Sequence, residues 1–276
     1  MPHALVLQFP STEALPSALL ARLPEPDYAD EKRMRFIVEE GFSLSEADTA
    51  LLSSRQIDHA VLPDMAFGEL GLIVSDMDST LITIECVDEI AAGVGLKDRV
   101  AEITERSMRG ELDFEQSLRS RVALLAGLDE RVLAEVYENV LRLSPGAEFL
   151  LDECKAHGVK FMLVSGGFTF FTERLQQRLG FEYQHANVLE IENGKLTGRL
   201  KGRIIDAQAK ADLLRGYRDR LGFAAASGFG DGRRCERYSD AQRSGRRRGL
   251  PRQTESAGSC RCLHQFRRAG ARQGLV

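Results

Sequence analysis

A chain of 276 residues, 43% of them hydrophobic and with a formal net charge of -4, is long enough for one sizeable core domain and a smaller companion. No run approaches the ~20 apolar residues of a membrane span, and the first residues hold neither a basic region nor an apolar signal core, so a cytoplasmic location is expected. The five cysteines, Cys86, Cys154, Cys235, Cys260 and Cys262, form no paired framework, and Cys260-x-Cys262 with His264 has no second ligand pair at finger spacing, which argues against disulfide scaffolds and zinc fingers.

Residues 1–68 read as a small α+β accessory domain. A strand is predicted over Ala4 to Phe9, a helical stretch over Ser17 to Leu23, a strand over Met34 to Val38, and a helix over Ser45 to Ser54 capped by Ser43 or Ser45. Leu62-Pro63-Asp64 breaks this pattern. Nothing in the segment carries chemistry.

Gly71 to Leu81 follows, reading Gly-Leu-Ile-Val-Ser-Asp-Met-Asp-Ser-Thr-Leu. Leu72, Ile73 and Val74 suit a buried strand of a parallel sheet, and Asp76 and Asp78 come directly after it. Two acids therefore sit at the carboxyl end of a strand, where open α/β sheets bind ligands. Taken alone, Asp-x-Asp is as consistent with an ordinary surface turn.

Ile90 to Leu143 is long, charged and helix-periodic, with Asp113 as cap and Phe114, Leu118, Val122 and Leu125 as an apolar stripe; Arg119 and Arg121 lie in the same segment. That exceeds what one crossover needs, so residues from about 86 to 144 are expected to form a helical cap over the strand ends. The α/β rhythm then resumes. A helix over Ala147 to His157 ends at Gly158, a strand covers Val159 to Val164, Ser165-Gly166-Gly167 makes a tight turn, and a helix over Thr169 to Leu179 ends at Gly180. A small hydroxyl and two glycines between strand and helix suit a phosphate cradle of backbone N–H groups. Asn187 to Arg199 alternates around Asn193-Gly194, a hairpin signal read as structural. Lys210 lies in a helical stretch from Asp206 to Arg215, where a solvated lysine is the ordinary case. Ala224 to Phe229 is a weak strand ending in Gly230-Asp231-Gly232, which brings a third acid to a strand end.

Together these pieces make a site for phosphoryl transfer. A carboxylate nucleophile approaches a phosphate dianion only when Mg²⁺, a lysine and N–H dipoles neutralise the charge. The chain resembles the haloacid dehalogenase-like phosphatases, whose four motifs are matched by Asp76-Met-Asp78-Ser-Thr80, Ser165, Lys210 and Gly230-Asp231-Gly232. Within them it is similar to the branch that hydrolyses phosphoserine, through Asp78-Ser79-Thr80-Leu81 with Glu85, Phe114 to Val122, and Val164 to Phe168. The resemblance implies a doubly wound parallel α/β sheet with an inserted helical cap over residues 69–232. It implies Asp76 as nucleophile, Asp78 as general acid and base, and Ser165, Gly166 and Lys210 on the phosphoryl oxygens. It further implies Mg²⁺ held by Asp76, the main-chain carbonyl of Asp78, and Asp231, with Glu85 and Arg121 gripping the ammonium and carboxylate of the substrate. Another phosphatase or phosphotransferase acting on a different small phosphomonoester is the alternative.

The family pattern breaks after Gly232, where Arg233-Arg234-Cys235-Glu236 replaces an expected Asn-Asp. Residues 233–276 hold twelve arginines, no lysine and three acids, Glu236, Asp240 and Glu255. A basic arm for nucleic acid would account for the charge, yet only Tyr238 and Phe266 could stack on bases. Neither a nucleic-acid nor a membrane partner is expected. Codons for Cys235 to Gln242, regrouped by one nucleotide, permit Ala-Asn-Asp-Ile-Pro-Met-Leu-Lys, and those for Leu250 to Ser256 permit Tyr-Arg-Ala-Lys-Pro-Lys. The tail therefore reads as out of frame, and a crippled or inactive enzyme is the second alternative.

Overall fold

The computed structural model describes residues 2–223 and the backbone of 228–229. Contacts divide the chain into two units, Met1–Glu69 and Leu70–Val276.

The first unit runs β1 (His3–Gln8), α1 (Ser17–Leu20), β2 (Tyr28–Ala29), β3 (Arg33–Val38), α2 (Glu46–Ser54) and β4 (Asp58–Pro63). The strands form an antiparallel sheet in the order β2-β3-β1-β4, the split βαβ arrangement. Its core joins Leu5, Leu7, Phe36 and Val38 to Leu19 and Leu52. Ser45 is the cap of α2, accepting from the Asp48 N–H. Two expectations change here. The first helix stops at Leu20 rather than Leu23; Pro24 keeps Leu23 from helical backbone. Leu62-Pro63 closes β4 instead of interrupting the pattern; Pro63 pairs with His3 on an edge strand, where a missing N–H costs no ladder bond.

The second unit is built on β5 (Leu72–Ser75), followed by α3 (Cys86–Gly93), α4 (Lys97–Met108), α5 (Phe114–Ala123) and α6 (Arg131–Glu135). Then come α7 (Ala147–His157), β6 (Lys160–Phe168), α8 (Thr169–Leu179), β7 (Tyr183–Glu192), β8 (Lys195–Lys201), α9 (Ala207–Leu221) and β9 (Gly228–Phe229). The sheet order is β8-β7-β6-β5-β9, parallel except for the antiparallel hairpin β7-β8. The chain thus moves from β5 to β6 to β7 and then returns to add β9 on the other side of β5. That reversal makes the carboxyl end of β5 the topological switch point, the crevice where such sheets take ligands. Right-handed crossovers put α7 and α8 on one face and α9 on the other. On the α9 face Leu72, Met162 and Val164 pack with Ile205, Leu213, Leu214 and Tyr217.

Helices α3 to α6 form the cap, and its entry and exit are tied together. Ile82 bridges Leu143, and Thr83 N–H donates to the Arg142 carbonyl at 2.9 Å. Asp113 and Gln116 close a reciprocal capping box at the start of α5. Leu118, Val122 and Leu125 are buried as the stripe predicts, but Phe114 is 43% exposed and belongs to the site instead. The hairpin does more than expected: Gly127 N–H donates to the Leu196 carbonyl and Glu130 N–H to the Gly194 carbonyl, so its tip anchors the cap. Asn193 and Gly194 both have positive φ, 52° and 72°, as a two-residue turn between twisted strands demands.

Candidate active site

Asp76 directly follows β5 and caps a single wide turn over Met77–Leu81, its Oδ1 accepting from the Met77 N–H at 2.8 Å. The backbone of this turn is not helical at Asp78, with φ -62° and ψ 135°. Ser79 takes φ +52° inside it, held by its N–H on the Ile84 carbonyl and its hydroxyl on Glu85 Oε1 at 2.7 Å. The turn therefore sends Asp76, Asp78 and Glu85 to one rim.

Lys210 meets Asp76 there, Nζ to Oδ2 at 2.5 Å, across 134 residues of chain. Asp206 fixes the start of the lysine's helix by accepting from the Ala209 N–H. Asp78 is held by the Cys86 N–H on Oδ1 at 3.0 Å and faces the Ser165 hydroxyl at 3.4 Å from Oδ2. Though Asp78 is partly open to solvent, burial of its carboxyl, with the nearby charges of Glu85 and Asp76 adding to the effect, raises its pKa to about 7. Burial also raises Glu85, opposed by the Ser79 hydrogen bond and the charge of Arg121, and pushes the neighbouring Cys86 thiol well above its ordinary range.

Ser165-Gly166-Gly167 is not a free turn. β6 continues to Phe168, and its register against β7 shifts between Val164 and Phe168. The three residues form a bulge, a device that re-aims backbone groups beside active sites. Neither glycine has positive φ; what they lack is room. A Cβ on Gly167 would lie 2.5 Å from Asp78 Oδ2 and 2.7 Å from Met77 Cε, and one on Gly166 would lie 2.9 Å from the Phe114 ring. The Ser165 hydroxyl accepts from the Gly167 N–H at 2.8 Å. Phe114, from the tip of the cap, thus lies over the cradle, a contact the apolar stripe alone did not disclose.

Arg121 is largely buried, its side chain 16% exposed, with NH1 4.0 Å from Asp88 Oδ1. Its Nε and that carboxylate oxygen are both buried without a hydrogen-bond partner among the described residues. Arg119, two positions earlier, instead makes an exposed pair with Glu115. Asp88 was not singled out in the sequence; its place on the helix that begins just after Glu85 was the available signal.

The expected Mg²⁺ ligands are only partly within view. Asp76 and the Asp78 backbone offer hard oxygens on one turn, which fits that ion. Asp231, Gly230 and Gly232 lie outside the described residues, as does the whole segment after them. Among the described residues no three His, Cys, Asp or Glu side chains converge as a metal site, and no helix is long and apolar enough to cross a membrane.

Comparison with known proteins gives a consistent picture. A phosphoserine phosphatase of a Polaromonas species is 47% identical over 188 residues, covering 66% of this chain and 80% of that protein. One from Albidiferax ferrireducens is 50% identical over 177 residues, covering 62% and 75% respectively. The crystal structure of a probable phosphoserine phosphatase from Vibrio cholerae, in unliganded form, superposes with a TM-score of 0.65 at 34% identity, over 82% of this chain and 71% of that one. The family model for haloacid dehalogenase-like hydrolases matches residues 73–234, a span that includes Asp76, Ser165 and Lys210 and ends just past Gly232. The chain belongs to the haloacid dehalogenase-like hydrolase family.

Proposed function

We propose that this protein hydrolyses O-phospho-L-serine to L-serine and phosphate, the last step of serine biosynthesis, through an aspartyl-phosphate on Asp76. The observation that carries the reading is the convergence at the end of β5 of Asp76 with Lys210, and of Asp78 with Ser165, in a chain 47% identical to a phosphoserine phosphatase.

An Asp76 oxygen attacks phosphorus in line, and the bond from phosphorus to the serine oxygen breaks. Asp78 gives its proton to that departing oxygen. Its raised pKa suits the task, since a carboxyl of ordinary acidity would already have lost the proton at neutral pH. Water enters once serine has left; Asp78 takes its proton, the water oxygen bonds to phosphorus, and Asp76 is released as carboxylate. Lys210 offsets the repulsion between the nucleophile and the phosphoryl oxygens, and the Ser165 hydroxyl with the Gly166 backbone N–H holds those oxygens. Asp76, the main-chain carbonyl of Asp78, and Asp231 would hold Mg²⁺, which supplies positive charge to the transferring group.

Substrate choice is the work of the cap. Glu85 faces the ammonium of a zwitterionic amino acid, and Arg121, whose Nε has no partner among the described residues, binds its carboxylate through a two-pronged contact. Phe114 closes over the cradle and keeps bulk water from the ester. The test is Mg²⁺-dependent phosphate release from phosphoserine, with Asp76→Asn as control. Release is expected from the parent chain and should fall by at least about 10³-fold in the variant; equal rates would remove Asp76 as nucleophile.

A further inference from the structure

Asn187 is 1% exposed and sits where β7 resumes pairing with β6, opposite Phe168 and immediately past the bulge. Both ends of its amide are used. Nδ2 donates to the Gly166 carbonyl at 2.8 Å, and Oδ1 accepts from the Ile205 N–H at 2.8 Å. The first bond replaces ladder pairing that the bulge removes from Gly166. The second grips the residue just before Asp206, which caps the helix carrying Lys210. One side chain therefore ties the Ser165-Gly166 cradle to the root of the lysine helix.

We infer that Asn187 is a positioning residue that fixes the separation between the two halves of the phosphate-binding site. It has no role at the amino-acid end. This rests on the phosphatase reading above and extends it. The amide is the one group among described residues that bonds to both segments, and a hydrocarbon of equal size would leave the Gly166 carbonyl and the Ile205 N–H unpaired in a buried place. The cradle and the lysine would then drift apart, and a displacement of that kind can cost roughly 10²-fold in rate.

The experiment uses the full chain with Mg²⁺ and compares it with Asn187→Leu, which keeps the branched shape without a hydrogen-bond donor or acceptor, and Asn187→Ser, which is smaller and admits water. Inorganic phosphate and L-serine are titrated separately by calorimetry, alongside phosphoserine turnover. In both variants the phosphate Kd should rise at least about tenfold and kcat should fall, while L-serine affinity stays unchanged; that retained affinity shows the fold is intact. An unchanged phosphate affinity, or a parallel loss of both ligands, overturns the inference. A parent chain that binds phosphate in an Asn187-dependent way but leaves phosphoserine intact would sink the substrate assignment and keep the positioning role. A parent chain that binds no phosphate would overturn both.

Discussion

At the scale of single residues, charge and burial decide the chemistry. Asp76 and Asp78 are two positions apart and chemically identical, yet one pairs with a lysine while the other lies in a desolvated pocket beside like charges. Environment thus separates the two carboxylates in the way the proposed roles of nucleophile and acid require. Arg121 is set apart from Arg119 in the same way, by burial and by a partially compensating Asp88. Arg121→Lys keeps a cation opposite Asp88 but loses the planar fork, so kcat/KM for phosphoserine should drop at least about tenfold. Phosphoethanolamine, which has no carboxylate, should be turned over equally by both proteins. A similar drop for both substrates would remove Arg121 from carboxylate recognition. Ser165 was singled out in the sequence by its local strand–turn–helix setting, and Arg121 only by the family resemblance. Asp88 and Asn187 were not, since an Asp on a charged helix and an Asn in a strand have no local signature of what they face.

At the scale of elements, the bulge in β6 and the hairpin carry consequences that periodicity did not disclose. The Asp113 cap and the helix stops at Gly158 and Gly180 follow from nearby residues, and so they were readable, whereas the limits of β6 and β7 were not. That Ser165-Gly166-Gly167 stays within the strand depends on what lies across from it, including Asp78 from a distant turn. Gly167→Ala should therefore lower kcat by roughly 10²-fold and destabilise the protein by about 1–3 kcal/mol, measured by steady-state kinetics and thermal melting. Full activity would mean that Asp78 can yield to the methyl group. On the neighbouring strand, His185 bonds to the Tyr217 hydroxyl at 2.9 Å, and burial, with Arg220 adding, lowers its pKa below 6.5. The folded state then binds that proton less readily than the unfolded chain. The stability His185 contributes is complete above about pH 6.5 and is lost as pH falls below it. Urea midpoints at pH 7.5 and 5.5 should diverge more for the parent protein than for His185→Gln; parallel shifts would refute this.

At the scale of the whole molecule, the switch point is where the sheet order reverses and where the cap's two connections are tied. Sheet, cap and the Ser165-Gly166-Gly167 bulge meet at one rim, and that meeting brings Asp76, Asp78, Ser165 and Lys210 together. By the family resemblance an Asn-Asp pair is expected after Gly232, where this chain instead has Arg233-Arg234-Cys235-Glu236. If the tail is a shifted reading frame, a one-base change near the Gly232 codon restores Asn-Asp, and sequencing the gene decides this directly. The frame-restored chain should then turn over phosphoserine about 10–100-fold faster than this one, the usual cost of disturbing groups that orient metal ligands. Equal turnover would show that the altered tail leaves the site unharmed.

The sequence by itself determined the α/β class, the helical insertion, the caps and turn residues, and the candidate acids and serine, because each is encoded by neighbours within a few positions; Lys210 was singled out only by the family resemblance. Only the tertiary structure decided that Lys210 reaches Asp76, that Phe114 leaves its stripe to cover Gly166, and that Asn187 joins two segments of the cradle. Those contacts link residues tens of positions apart, and their energies exist only once strand order and crossover handedness have brought the segments together.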